Sequence, residues 1–203
     1  MSDTTGKRRA IFLDRDGVLN QLLSLGSVET SEQSVSGRPP QSVAETAIYP
    51  DVPDALAKLR DAGFLLIVTT NQPDVARGNQ TRAVVEAINQ HLAERLPLDD
   101  IEVCYHDDAD LCACRKPKPG MIRSAAERHG IDVAASYMIG DRWRDVDAGL
   151  AAGCTTILID RRHREELRGA PAVVVSSMAE AAAWIEQREA AAIGRDTAAT
   201  TDN

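Results

Sequence analysis

Short apolar runs alternate along this chain with segments in which apolar residues recur every three or four positions. That alternation predicts strands and helices taking turns around a mostly parallel sheet. Residues 10–13 form the first strand-like run. Residues 51–62 read as a helix, because Leu56 and Leu59 share a face, Pro53 is tolerated in a first turn and Gly63 supplies a stop. Residues 64–69 follow as a buried strand. Residues 81–96 show helical spacing through Val84, Val85, Ile88 and Leu92 and end before Pro97, and 101–105 form the next strand. The second half repeats the rhythm, with a helix over 119–129 closed by Gly130, a strand over 137–139 and a helix over 145–152 closed by Gly153. Strands over Thr155–Ile159 and Val173–Val175 and an Ala-rich helix from residue 178 to about 192 complete it.

Two segments break the alternation. Residues 24–47 are rich in Ser, Gln and Glu, contain Gly37-Arg38-Pro39-Pro40, and form either an ordered functional loop or a mobile insertion. Residues 194–203 read as a frayed tail. The expected organisation is an N-terminal extension over 1–9, one α/β domain over 10–192 and a flexible tail over 193–203. A chain of 203 residues suits a single core of this kind.

Composition narrows the class of partner. With 43% hydrophobic and 27% charged residues the chain belongs with globular proteins. A formal charge of -8 argues against nucleic-acid binding, which needs clustered Lys and Arg, so an anionic ligand must be met by a local basic pocket. No apolar run nears the roughly 18 residues of a membrane span. The polar start MSDTTGKRRA lacks the apolar core of a signal peptide. A cytoplasmic protein acting on a small molecule, as a monomer or small homo-oligomer, is the expectation.

Candidate chemistry gathers at strand ends. In Phe12-Leu13-Asp14-Arg15-Asp16-Gly17-Val18 two carboxylates stand two apart where a buried strand runs into a glycine turn. Alone, such a pair is also what an ordinary turn contains. Three more strand ends carry polar residues: Thr69-Thr70-Asn71-Gln72, then Arg115-Lys116-Pro117, then Gly140-Asp141 with Asp145. Strand ends converge in an open α/β sheet, so these residues can meet in one pocket.

The four segments, in order, resemble the signature motifs of the haloacid dehalogenase (HAD) superfamily of phosphotransferases over residues 10–160. The resemblance implies a three-layer Rossmann-like α/β fold in which Asp14 attacks phosphorus and Asp16 serves as general acid and then base. It also implies Mg²⁺ held by Asp14, the Asp16 carbonyl and Asp141. Elementary electrostatics agrees, since carboxylates facing a phosphate dianion need a hard cation with oxygen ligands between them. Lys116 and the Thr70 hydroxyl would orient the phosphoryl oxygens, with Asp145 orienting Lys116 or a metal-bound water.

Cys104-Tyr105-His106 and Cys112-Ala113-Cys114 form a separate cluster. Alternate residues of an extended segment project the same way, so two such pairs joined by a short loop can close a tetrahedron around Zn²⁺. Four protein ligands make that site structural, and its place just before Arg115 and Lys116 would pin the positive charge delivered to the phosphate. Cys154, alone, reads as a core cysteine.

The cluster, with CRKPKPGM over 114–121, AASYMIGD over 134–141 and ARG over 76–78, narrows the resemblance. The chain is similar to the bacterial D-glycero-D-manno-heptose 1,7-bisphosphate 7-phosphatases and the related histidinol-phosphate phosphatases. That family has almost no cap domain, and the resemblance puts Asn71, Arg77 and Arg115 at the substrate. The stretch 71–75, the loop 107–111 and the insertion 24–47 depart from the family pattern, and these are the loops expected to select the substrate. The acidic run Asp107, Asp108, Asp110 either opposes a second phosphate, against Arg115 and Lys118, or is simply a solvated loop. Histidinol phosphate, whose amine would welcome that acidic loop, is an alternative substrate. A phosphotransferase and a non-catalytic zinc-stabilised relative complete the alternatives.

Overall fold

A computed structural model describes residues 7–24 and 37–199, and one six-stranded sheet organises them. In chain order the elements are β1 (Arg9–Leu13), β2 (Leu23–Ser24), β3 (Gly37–Arg38), α1 (Val52–Asp61), β4 (Phe64–Asn71), α2 (Arg82–Ala93) and β5 (Asp100–Cys104). They continue as α3 (Gly120–His129), β6 (Tyr137–Gly140), α4 (Trp143–Ala152), β7 (Thr155–Ile159), β8 (Val173–Val175) and α5 (Met178–Ala199). The sheet runs β5-β4-β1-β6-β7-β8, and every pairing in it is parallel.

Parallel strands buried on both faces carry continuous apolar runs, and here alternate residues feed two cores. Ile11 and Leu13 of β1 and Leu66 and Val68 of β4 pack with Leu56 and Leu59 of α1, Ile88 and Leu92 of α2, and Met178 and Ile185 of α5. Ala10, Phe12, Leu65 and Ile67 face the other way, against Ile122 and Ala125 of α3 and Ala148 of α4. The result is the three-layer fold expected. β1 lies at the sheet's centre, with β4 on one side and β6 on the other, so the chain changes direction across the sheet at β1. A crevice opens beyond the carboxyl ends of the strands at such a switch point.

Element boundaries shift by a residue or two for local reasons. α4 begins at Trp143, not 145, because the Asp145 carboxylate folds back to accept the Arg142 N–H at 3.0 Å and so caps the helix. β4 extends to Asn71, since its pairing with β5 continues to Asn71 opposite Cys104. The described residues of the insertion are structured: β3 pairs antiparallel with β2, Arg38 bonds Glu45, and a 3-10 turn covers Val43–Glu45. Its residues 25–36 lie outside the described residues, as do 1–6 of the N-terminal extension and 200–203 of the tail. The last helix runs past residue 192 to Ala199, through the start of the segment expected to fray, as an Ala-rich sequence favours. Among the described residues there is no cap domain, and no helix is long and apolar enough to cross a membrane.

Candidate active site and metal centres

The four strand ends meet where β1 directs them. Asp14 follows β1 directly, and its backbone N–H donates to the Ile139 carbonyl of β6 at 2.9 Å, which ties the first and fourth segments together. Gly17 turns the chain at φ +91°, and a Cβ there would lie 2.1 Å from Asp141 Oδ2. Only glycine lets Asp141 pack against the turn that holds Asp14 and Asp16.

Lys116 is the hub. Its ammonium donates to Asp14 Oδ1 at 2.8 Å and to the Thr69 carbonyl at 2.7 Å, and it lies 2.5 Å from Asp145 Oδ1. Burial opposes its charge, but Asp14 and Asp145 on either side outweigh that and hold its pKa above the usual lysine value. Burial raises Asp14 to about 6, partly offset by Lys116 and reinforced by Asp145 and Asp16. Asn71 brackets the same lysine from β4: its carboxamide donates to the Lys116 carbonyl at 3.0 Å and accepts from the Lys116 N–H at 3.0 Å.

Asp16 behaves oppositely. Burial would raise its pKa, yet the Arg15 guanidinium, Asn20 and Gln72 together hold it below the usual carboxylate value. Arg15 spans both oxygens at 2.9–3.2 Å, Asn20 donates at 3.0 Å and Gln72 at 2.8 Å. Gln72 also donates to the Thr70 hydroxyl at 2.9 Å, linking Asp16 to β4. Arg15 is itself buried and anchored by Asn89 of α2 at 2.9 Å.

Asp14, Asp141 and Asp145 bring carboxylate oxygens within 4.8 Å of one another. Asp145 is already used twice, by the Arg142 N–H and by Lys116. Asp141 Oδ1 is buried with no hydrogen-bond partner, which is the condition of an oxygen awaiting a cation. Asp14 and Asp141 therefore fit a hard divalent ion as the sequence indicated. Burial raises the Asp141 pKa, partly offset by a hydrogen bond from His163.

The soft cluster assembles equally well. Cys114 Sγ lies 3.2 Å from Cys104 Sγ, 3.4 Å from Cys112 Sγ and 3.3 Å from His106 Nδ1, and Cys104 Sγ lies 3.7 Å from both Cys112 Sγ and His106 Nδ1. A tetrahedral ion with bonds of about 2.3 Å to sulfur sets ligand separations of about 3.8 Å, so three thiols and one imidazole fit Zn²⁺ with no position left open. Lys118 braces the loop by donating to the carbonyls of Leu111 at 3.0 Å and Cys112 at 2.6 Å. Gly120 packs under it, where a Cβ would lie 2.2 Å from the Ala113 carbonyl oxygen.

A cavity of about 320 Å³ opens over Asp14, Asp16, Thr70 and Lys116. Arg77, Arg115, Arg142 and Arg144 stand on its wall, with Gly37 and Pro39 of the insertion opposite. The acidic run is not a free solvated loop. Asp107 takes Arg77 at 2.6 and 3.0 Å, and Asp108 takes Arg115 at 2.8 Å and Arg144 at 3.2 Å.

Known proteins are similar to this chain in sequence and fold. A HAD-hydrolase-like family model matches residues 113–181. The D-glycero-β-D-manno-heptose-1,7-bisphosphate 7-phosphatase of Escherichia coli K12 is 34% identical over 195 residues, covering 89% of this chain and 95% of the relative. The enzyme of that name from Pseudomonas aeruginosa is 35% identical over 157 residues, covering 75% and 81%. This chain belongs to the HAD-like phosphatases. A crystal structure of the D,D-heptose 1,7-bisphosphate phosphatase of Bordetella bronchiseptica, complexed with magnesium and phosphate, superposes with a TM-score of 0.71 at 31% identity, covering 89% of this chain and 99% of that one.

As a HAD-like phosphatase the protein shows Asp14, Asp16, Thr70, Lys116 and Asp141 drawn into one site, and Cys104, His106, Cys112 and Cys114 into another. Arg77 and Arg115 line the cavity, while the Asn71 carboxamide is committed to Lys116. Sequence reasoning missed Arg15, Gln72, Arg144 and His163. A signal existed for Arg15, since Asn89 interrupts the apolar face of α2 and marks a buried polar partner. None existed for His163.

Proposed function

We propose that the protein is a D-glycero-D-manno-heptose 1,7-bisphosphate 7-phosphatase working through an aspartyl-phosphate on Asp14. The observation that carries the chemistry is Lys116 Nζ, 2.8 Å from Asp14 Oδ1 at the floor of an arginine-walled cavity. Lys116 and the Thr70 hydroxyl bind and orient the phosphoryl oxygens beside Asp14. An Asp14 oxygen forms a bond to phosphorus as the bond to the sugar oxygen breaks, and Asp16 gives that oxygen a proton. Water then attacks the phosphorus, its proton passes to Asp16, and the Asp14–phosphorus bond breaks. The first proton comes to Asp16 from solvent under the negative field of the arriving phosphate dianion, and once phosphate leaves, the Arg15 guanidinium favours release of the proton taken from water back to solvent. Mg²⁺, held by Asp14, the Asp16 carbonyl and Asp141, neutralises phosphoryl charge when bound. Zn²⁺ on the cysteine cluster keeps Arg115 and Lys116 in place.

Arg77, Arg115 and Arg144 supply the positive wall for a second phosphate, and the single catalytic domain over 10–192 needs no cap to contain it. Histidinol phosphate is the weaker substrate, because its amine would face Arg77, Arg115 and Arg144 on the cavity wall, while Asp107 and Asp108 pair with those arginines from outside the cavity lining. We expect kcat/KM for the heptose bisphosphate to exceed that for histidinol phosphate at least a hundredfold with Mg²⁺ present. Comparable weak turnover of both would reject the assignment.

A further inference from the structure

The segment after β7 returns to the back of the active site. Asp160 N–H donates to the Val175 carbonyl at 2.8 Å, Arg162 N–H donates to Asp160 Oδ1 at 2.7 Å, and Arg162 adopts φ 58°. Arg161, stacked 4.0 Å above the Tyr49 ring, donates through Nε to the Gly17 carbonyl at 2.8 Å. Two residues on, His163 reaches Asp141 Oδ2 at 2.7 Å from a side chain only 8% exposed. Consecutive turns of one segment thus hold both the backbone of the glycine turn and the carboxylate packed against it.

The two oxygens of Asp141 are unlike. Oδ2 is held by His163 and abuts Gly17, whereas Oδ1 is buried without a partner. We infer that His163 is a positioning residue that fixes the Asp141 carboxylate with Oδ1 directed at the divalent cation. This rests on Asp141 as a ligand in the proposed function. A carboxylate free to rotate would give up orientation each time the ion bound, while a donor on the far oxygen sets it beforehand. His163 donates through Nε2–H to the Asp141 oxygen opposite the unpartnered one. Its contribution is therefore to cation affinity, and turnover follows only through that.

The test is calorimetric titration of the full chain with Mg²⁺, with no substrate present. His163→Ala is expected to weaken binding about tenfold or more, in the range typical of lost outer partners of metal ligands. His163→Gln, which returns an N–H at similar reach, is expected to restore most of it, and Asp141→Asn to abolish it. Thermal melts without Mg²⁺ check that each variant is folded. If His163→Ala binds Mg²⁺ like the wild type while Asp141→Asn does not, the inference is overturned and the metal site stands. Equal weakening in the Ala and Gln variants overturns it too, since packing alone would then explain the effect. Wild-type binding by Asp141→Asn would overturn the metal site and the inference together.

Discussion

At the scale of single residues, opposite shifts set apart two carboxylates only two positions apart. Asp14 is raised to about 6 by burial, and Asp16 is lowered by the Arg15 fork and two carboxamides. Both directions run against the roles proposed, so Asp14 relies on Lys116 and a bound cation to stay ionised, and Asp16 relies on the charge of the bound phosphate to hold a proton. Arg15 carries much of the difference, and it is also a buried ion whose removal strands a carboxylate. Breaking a buried pair costs about 3–5 kcal/mol. Arg15→Met should therefore lower stability by about that amount in urea titration, and Arg15→Lys by clearly less; equal, small losses would show that the fork contributes little. Asp14 and Asp141 could be placed at the site because each directly follows an apolar run, where a parallel sheet exposes its chemistry, whereas Lys116 lies beyond the loop after β5 and was legible from its motif. His163 was not, because its role depends on Asp141, 22 residues away, and no local periodicity brings the two together, while Arg15 left only the indirect trace of Asn89 in the apolar face of α2.

At the scale of elements, the strands and helices followed from apolar spacing, and their ends followed from caps. Asp145 shows why ends are harder: an acidic residue that seems to open α4 lies inside its first turn, because its carboxylate bonds back to Arg142 while also meeting Lys116. One side chain thus fixes both a helix start and the lysine. The Cys/His loop works similarly, since Cys104 ends β5 and Cys114 precedes Arg115, so an ion bound on the cluster would tie a strand end to the segment that carries Lys116. Protein purified without added metal should carry one equivalent of zinc by elemental analysis. Its removal by chelation should lower kcat/KM more than tenfold and lower the melting temperature. A folded, fully active protein without zinc would contradict the structural role given to the cluster. The acidic turn of that loop could be placed beside the arginines only by the fold, because Arg77, Arg115 and Arg144 come from three separate segments.

At the scale of the molecule, one central strand accounts for the site. β1 is buried on both faces and flanked by strands running the same way, so the chain leaving it has only the crevice to enter. Asp14 is the first residue into that crevice, and the arginine wall, Asp141 and the Cys/His loop are arranged around it. The mostly parallel sheet was readable from alternation, and its three layers from the family resemblance. The insertion, whose described residues set Gly37 and Pro39 on the cavity wall, was not, because its Ser- and Gln-rich sequence has no period. Everything proposed for catalysis depends on Asp14 acting as a nucleophile. The most direct measurement is phosphate release by Asp14→Asn, with Mg²⁺ present and the fold checked by circular dichroism. The variant should be folded and should release no phosphate above the uncatalysed rate, whereas turnover near that of the wild type would contradict the covalent mechanism.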